Sequence, residues 1–81
     1  MNLIEMRNKA GLTQSEAGKA LGHELGRDAY THARIHQIET EGVKDLDQIE
    51  ALARIYKQPV ADVLSAAKLL RQHCNLFLQN A

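Results

Sequence analysis

Between Thr31 and Gly42 the chain sets His32, Arg34, His36, Gln37 and Thr40 around two isoleucines, Ile35 and Ile38, spaced three apart. On a helix the isoleucines anchor one face and the polar residues line the rest. The chemistry open to such a row is hydrogen bonding to flat, edge-on groups. Arg34 can give two hydrogen bonds to guanine O6 and N7, and Gln37 can pair with adenine N6 and N7. Ala33 suits a thymine methyl, and His32 and His36 donate or accept according to protonation. Each good bidentate contact is worth about 1–3 kcal/mol of discrimination. These residues therefore read as a recognition helix for the major groove of double-stranded DNA, with His32, Ala33, Arg34, His36 and Gln37 facing the bases.

Other chemistries fit less well. His32 and His36 lie at i and i+4, a spacing that can hold zinc, with His23 and Cys74 as the remaining candidates. No third ligand stands at a fixed spacing, so neither a metal nor a cofactor is expected. There is no Gly-rich phosphate loop and no nucleophile with an obvious base, and an enzyme is not expected.

A DNA reader also needs phosphate contacts. Thr13, Gln14 and Ser15 stand at the start of a helix, where backbone N–H groups and the dipole favour an anion. Lys19, Arg27, Thr40 and Lys44 are further phosphate candidates. Ten basic residues offset ten acidic ones in 81 residues. A neutral total argues against a broadly cationic nucleic-acid binder, but local placement decides binding.

The elements that must hold these residues are helical. Apolar residues make up 44% of the chain and aromatics 4%, with no Trp and one Pro, and good helix formers dominate. The length fits one domain near the lower limit for unaided folding, where an oligomer can add burial. A single cysteine excludes an internal disulfide and fits a cytoplasmic setting. No apolar run is long enough to span a bilayer, and Glu5 lies where a signal peptide would be apolar.

Taken in order, Asn2 with Glu5 forms a capping box for a first helix over about residues 3–10, ended by Gly11. Thr13 with Glu16 opens a second, which Gly22 is expected to stop. Gly18 inside it costs roughly 1 kcal/mol against Ala, which suggests that another helix crosses closely there. His23 to Tyr30 has no clear period; either Asp28 or Thr31 can cap the third helix, which Gly42 ends. Asp45 with Gln48 reads as the box of a fourth helix, whose apolar stripe is Leu46, Ile49, Leu52, Ala53 and Tyr56. Pro59 marks the first turn of a fifth. Beyond it Val60, Val63, Ala67, Leu70, Cys74 and Phe77 alternate three and four apart as a short heptad seam. Of these, Val63, Ala67, Leu70, Cys74 and Phe77 are the expected dimerisation residues. The domain is expected over residues 1–64, with residues 65–81 a C-terminal helix extension.

The run from Arg7 to Gln14, then Ala17 to Gly22, Ile35 to Glu39, Gly42 and Leu52-Ala53 resembles the Cro/Xre-type, lambda-repressor-like helix-turn-helix family. The likeness spans about residues 2–64. It implies an all-α, compact five-helix domain binding operator DNA as a homodimer. It also implies a phosphate contact at Thr13-Gln14, a small residue at Gly18 where the third helix packs on the second, and a partly buried salt bridge between Arg7 and Glu39. Breaking one partner of such a pair costs about 3–5 kcal/mol. The chain departs from the family between Gly22 and Ile35, where it is about seven residues longer than the usual short turn. The function implied is a transcriptional regulator, a repressor acting by promoter occlusion. The alternative is an antitoxin with the same fold that also binds a toxin through its C-terminal helix.

Overall fold

The computed structural model describes residues 1–43 and 45–67. Over these the chain forms five α-helices and no strand: α1 (Leu3–Lys9), α2 (Gln14–Glu24), α3 (His32–Glu41), α4 (Leu46–Tyr56) and α5 (Val60–Ala66).

Local signals set the first boundaries. The Asn2 side chain accepts from the Glu5 N–H at 2.8 Å, and Glu5 reaches back to the Asn2 N–H at 3.4 Å. Thr13 and Glu16 repeat the arrangement at 3.1 and 3.0 Å. Each box satisfies two donors that a helix start would leave bare. Gly11 adopts φ +76°, and the Leu12 N–H folds back on the Arg7 carbonyl at 3.1 Å to close α1.

Gly22 does not stop α2. The helix runs on to Glu24, and Gly26, at φ +65°, supplies the left-handed residue that ends it. Gly22 is instead buried in the last turn of the helix, and Gly18 is buried one turn before it. No helix lies directly over the two glycines. The extended segment between α2 and α3 does, at Asp28–Tyr30. The Tyr30 N–H bonds the Gly18 carbonyl at 3.0 Å, and the Arg27 N–H bonds the Gly22 carbonyl at 2.8 Å. A Cβ on Gly18 would overlap the Tyr30 carbonyl, and one on Gly22 would meet the Asp28 carbonyl and stand 2.8 Å from the Ala29 Cα. Ile35 of α3 comes only within ordinary contact of Gly18, at 3.5 Å. The long connection is thus a strap laid along α2, and its last residue, Thr31, caps α3 by accepting from the Arg34 N–H at 3.1 Å. Of the two candidate caps, Thr31 and not Asp28 starts the helix.

The core gathers Leu3 and Met6 of α1, Ala17 and Leu21 of α2, Ile35 and Ile38 of α3, Ile49, Ala51, Leu52, Ala53 and Tyr56 of α4, and Val63 of α5, with Val43 and Ala67. α2 packs against α3 and α4, and α4 against α1 and α5. Two expectations for α4 change. Leu46 is exposed rather than part of the stripe. Asp45 precedes the helix without a side-chain cap bond, and Gln48 is not its box partner. Gln48 turns inward, 5% exposed, and its amide donates to the Tyr30 hydroxyl at 3.2 Å. A buried amide needs such a partner, and this one pins the strap to α4.

The fifth helix covers the start of the heptad pattern, Val60 and Val63. It ends at Ala66, and Ala67 is extended, with ψ 115°. Val63 and Ala67 are buried in the domain's own core, so neither offers surface to a second chain. Leu70, Cys74 and Phe77 lie outside the described residues, as does nearly all of the expected 65–81 extension.

Gly22→Ala is expected to destabilise the domain by about 2–3 kcal/mol in urea unfolding, because the new methyl meets backbone that cannot swing away. No loss, or a gain of up to about 1 kcal/mol, which is what helix propensity alone gives for Gly to Ala, would show that the strap yields.

Candidate nucleic-acid interface

The inward side of α3 is fixed by two kinds of contact. Ile35 and Ile38 enter the core. One turn on, Glu39 points the same way, and its side chain is only 1% exposed. Arg7 of α1 donates through Nε to Glu39 Oε2 at 2.6 Å and through a terminal nitrogen to the Leu12 carbonyl at 3.0 Å. Gln14 of α2 donates to Glu39 Oε1 at 3.0 Å. A carboxylate taken from water is tolerable only when its oxygens meet charged or polar donors, and here both do. The Arg7–Glu39 ion pair expected from the family resemblance is therefore present, with the arginine side chain 12% exposed.

Gln14 has a role inside the domain that its position does not suggest. Its side-chain nitrogen is spent on Glu39 and approaches His36 Nδ1 at 3.5 Å. It links α2 to α3 within the protein. Also left at the α2 N-terminus are the Ser15 side chain and backbone: the capping box uses the N–H groups of Thr13 and Glu16, and those of Gln14 and Ser15, in the first turn, take no part in it. The Thr13 backbone N–H holds the Glu16 carboxyl below its ordinary range, so this helix start already carries one anion.

The outward side of α3 carries His32, Ala33, Arg34, His36, Gln37 and Thr40, all exposed. The five residues proposed for base contact are thus all exposed; Ala33, His36 and Gln37 lie opposite Ile35 and Ile38, and His32 and Arg34 flank them. Thr40 folds its hydroxyl onto the His36 carbonyl at 2.9 Å, which satisfies it within its own helix. Arg34 and Gln37 are also engaged: Arg34 Nη1 donates to Gln37 Oε1 at 3.0 Å, and Gln37 Nε2 donates to Glu41 Oε2 at 2.9 Å. Glu41 was not among the candidates, although its i+4 spacing from Gln37 places the two side by side. Tyr30 and Gln48 were also missed. The signal for Gln48 was its position four before Leu52 and three before Ala51, in phase with the buried stripe.

Among the phosphate candidates, Ser15, Lys19 and Arg27 are exposed, with the Arg27 guanidinium 3.4 Å from the Tyr30 hydroxyl. Lys44 lies outside the described residues. Among the described residues no three His, Cys, Asp or Glu side chains come together as a metal site, and no helix is long and apolar enough to cross a membrane. No protein-family model, curated protein or solved structure matches the chain.

Tyr56 of α4 stands beside the same ion pair. Burial pushes its hydroxyl up to about 12, with the Glu39 carboxylate adding to the rise and Arg7 opposing it. The folded state thus holds the neutral phenol more firmly than the unfolded chain, whose ordinary value is 10.0. Stability is accordingly fully present below about pH 10 and is lost as pH rises toward about 12. Urea titrations across this window should show that fall, and Tyr56→Phe should flatten it. Separately, Arg7→Ala, which strands Glu39 in the core, should cost about 3–5 kcal/mol in the same measurement at neutral pH.

Proposed function

We propose that the protein is a sequence-specific double-stranded DNA-binding regulator of the lambda-repressor-like helix-turn-helix type, acting as a repressor. The observation that carries this reading is the two-sided character of α3. Its inner side is locked by Ile35, Ile38 and Glu39, while its outer side exposes His32, Ala33, Arg34, His36 and Gln37. A helix of this width fits the major groove, where each base pair presents its own pattern of donors and acceptors.

In this account α3 enters the groove with Arg34 and Gln37 as its main readers. The backbone N–H groups at the start of α2 take a phosphate, helped by Ser15 and Lys19. Arg27 on the strap holds a second phosphate. The preformed inner side means that α3 is not ordered at the moment of binding, which spares the complex that entropy. Repression follows by occlusion of a promoter, with two copies reading two half-sites.

A mobility-shift assay on the DNA flanking its own gene tests the reading. Affinity should fall steeply as salt rises, because each neutralised phosphate releases counterions. Arg34→Ala should relax preference at one base pair, whereas Lys19→Ala should weaken binding to every sequence alike and lessen the salt dependence. Absence of a shift at low salt with that DNA and with sequences drawn from a random pool would sink the proposal.

A further inference from the structure

Arg34, Gln37 and Glu41 form a hydrogen-bonded rail along the outer side of α3. Both ends of the Gln37 amide are used: its oxygen accepts from Arg34 at 3.0 Å and its nitrogen donates to Glu41 at 2.9 Å. An amide held at both ends cannot turn over. Its oxygen faces the N-terminal end of the helix and its nitrogen the C-terminal end. Each of these atoms has one more hydrogen-bonding direction, so one acceptor and one donor remain available in a fixed order.

We propose that Glu41 is a specificity-determining positioning residue, which acts through Gln37 and does not itself touch a base. The inference rests on the DNA-binding reading above and names what that reading leaves open: which residue decides the direction in which the glutamine is read. With its order fixed, Gln37 matches the acceptor–donor pair of adenine in one orientation of an A·T pair and mismatches the reversed pair. Without Glu41 the amide turns over freely and accepts either arrangement. The carboxylate has a second effect. Standing exposed on the side that meets DNA, it repels phosphates, so it lowers affinity for all sequences while it sharpens choice among them.

Glu41→Ala and Glu41→Gln separate these effects. Both substitutions are on an exposed position in the last turn of α3, where a negative charge opposes the helix dipole, so neither should harm the fold. Glutamine keeps an acceptor for Gln37 Nε2 and removes the charge; alanine removes both. The wild-type protein is first used to select a preferred site from random duplexes, and the pair read by Gln37 is located as the one where Gln37→Ala loses preference. At that pair Glu41→Ala should lose about tenfold of the discrimination against the reversed pair, in line with one bidentate contact. Glu41→Gln should keep that discrimination while binding all duplexes more tightly. If the wild-type protein selects no site, the DNA-binding reading falls and the inference falls with it. If it selects a site and Glu41→Ala discriminates as well as wild type, the inference alone is overturned. Equal loss in Glu41→Ala and Glu41→Gln overturns it too, since charge and not the hydrogen bond would then set the preference.

Discussion

The buried carboxylate of Glu39 is the constraint on which the arrangement of the first three helices depends. Removing a carboxylate from water costs several kcal/mol even after relaxation, and attraction to one cation repays this only with good geometry and further hydrogen bonds. Glu39 obtains both, from Arg7 of α1 and Gln14 of α2. Arg7 also takes the Leu12 carbonyl, so one guanidinium fastens α1, the turn after it and α3. Apolar packing by Ile35 and Ile38 supplies most of the burial but tolerates some rotation of the helix about its axis. The directed bonds to Glu39 do not, and they are the reason that one definite set of side chains faces outward.

The N-terminal end of α3 is fixed by different means. A connection of Leu25–Thr31 would ordinarily be a floppy join, because exposed backbone can bond to water in many conformations. Here its backbone bonds directly to α2 at Gly18 and Gly22, and its one aromatic side chain is tied to the buried amide of Gln48. Two glycines four apart make this approach possible, since any side chain there would stand where the strap runs. They weaken α2 by roughly 1 kcal/mol each in propensity. The return is a defined position for Thr31 and hence for the first turn of α3.

Much of this was legible in the sequence where the determinants are local. Asn2 with Glu5, Thr13 with Glu16, Gly11 and Gly42 each act on residues within a few positions, and the boundaries they imply agree with the structure. Gly22 shows where local reading ends. A glycine after a run of helix formers looks like a stop, but the same lack of a side chain also admits a neighbouring backbone, and only the tertiary arrangement decides between the two. Gln48 is a similar case: the spacing suited a capping box, while its phase with Ala51 and Leu52 pointed inward, and the Tyr30 hydroxyl settled the competition. The start of the heptad spacing beyond Val60 has a third explanation. Val63 and Ala67 are apolar because this domain buries them, so they give no information about a partner. Among the outer residues of α3, Ala33, His36 and Gln37 were legible because helical periodicity alone separates them from Ile35 and Ile38, while His32 and Arg34 lie beside that line and are exposed in the structure. Their mutual bonds were not, since several partners at i+3 and i+4 were open to each.

The neutral total charge takes on a different meaning beside the rail on α3. A protein that binds DNA chiefly through phosphates needs a cationic face, and its affinity then says little about sequence. Here the exposed side of α3 has one arginine, tied to a glutamine, and a glutamate at its far end. Such a surface attracts a polyanion weakly. It also gains little from wrong bases, because its polar groups are already satisfied by each other and by water. A favourable complex requires a groove whose edge groups meet, in the same order, the donor and acceptor that those bonds leave available. In the proposed role, weak general attraction and strict matching are consequences of a single feature: the outer side of α3 is hydrogen-bonded to itself before anything binds.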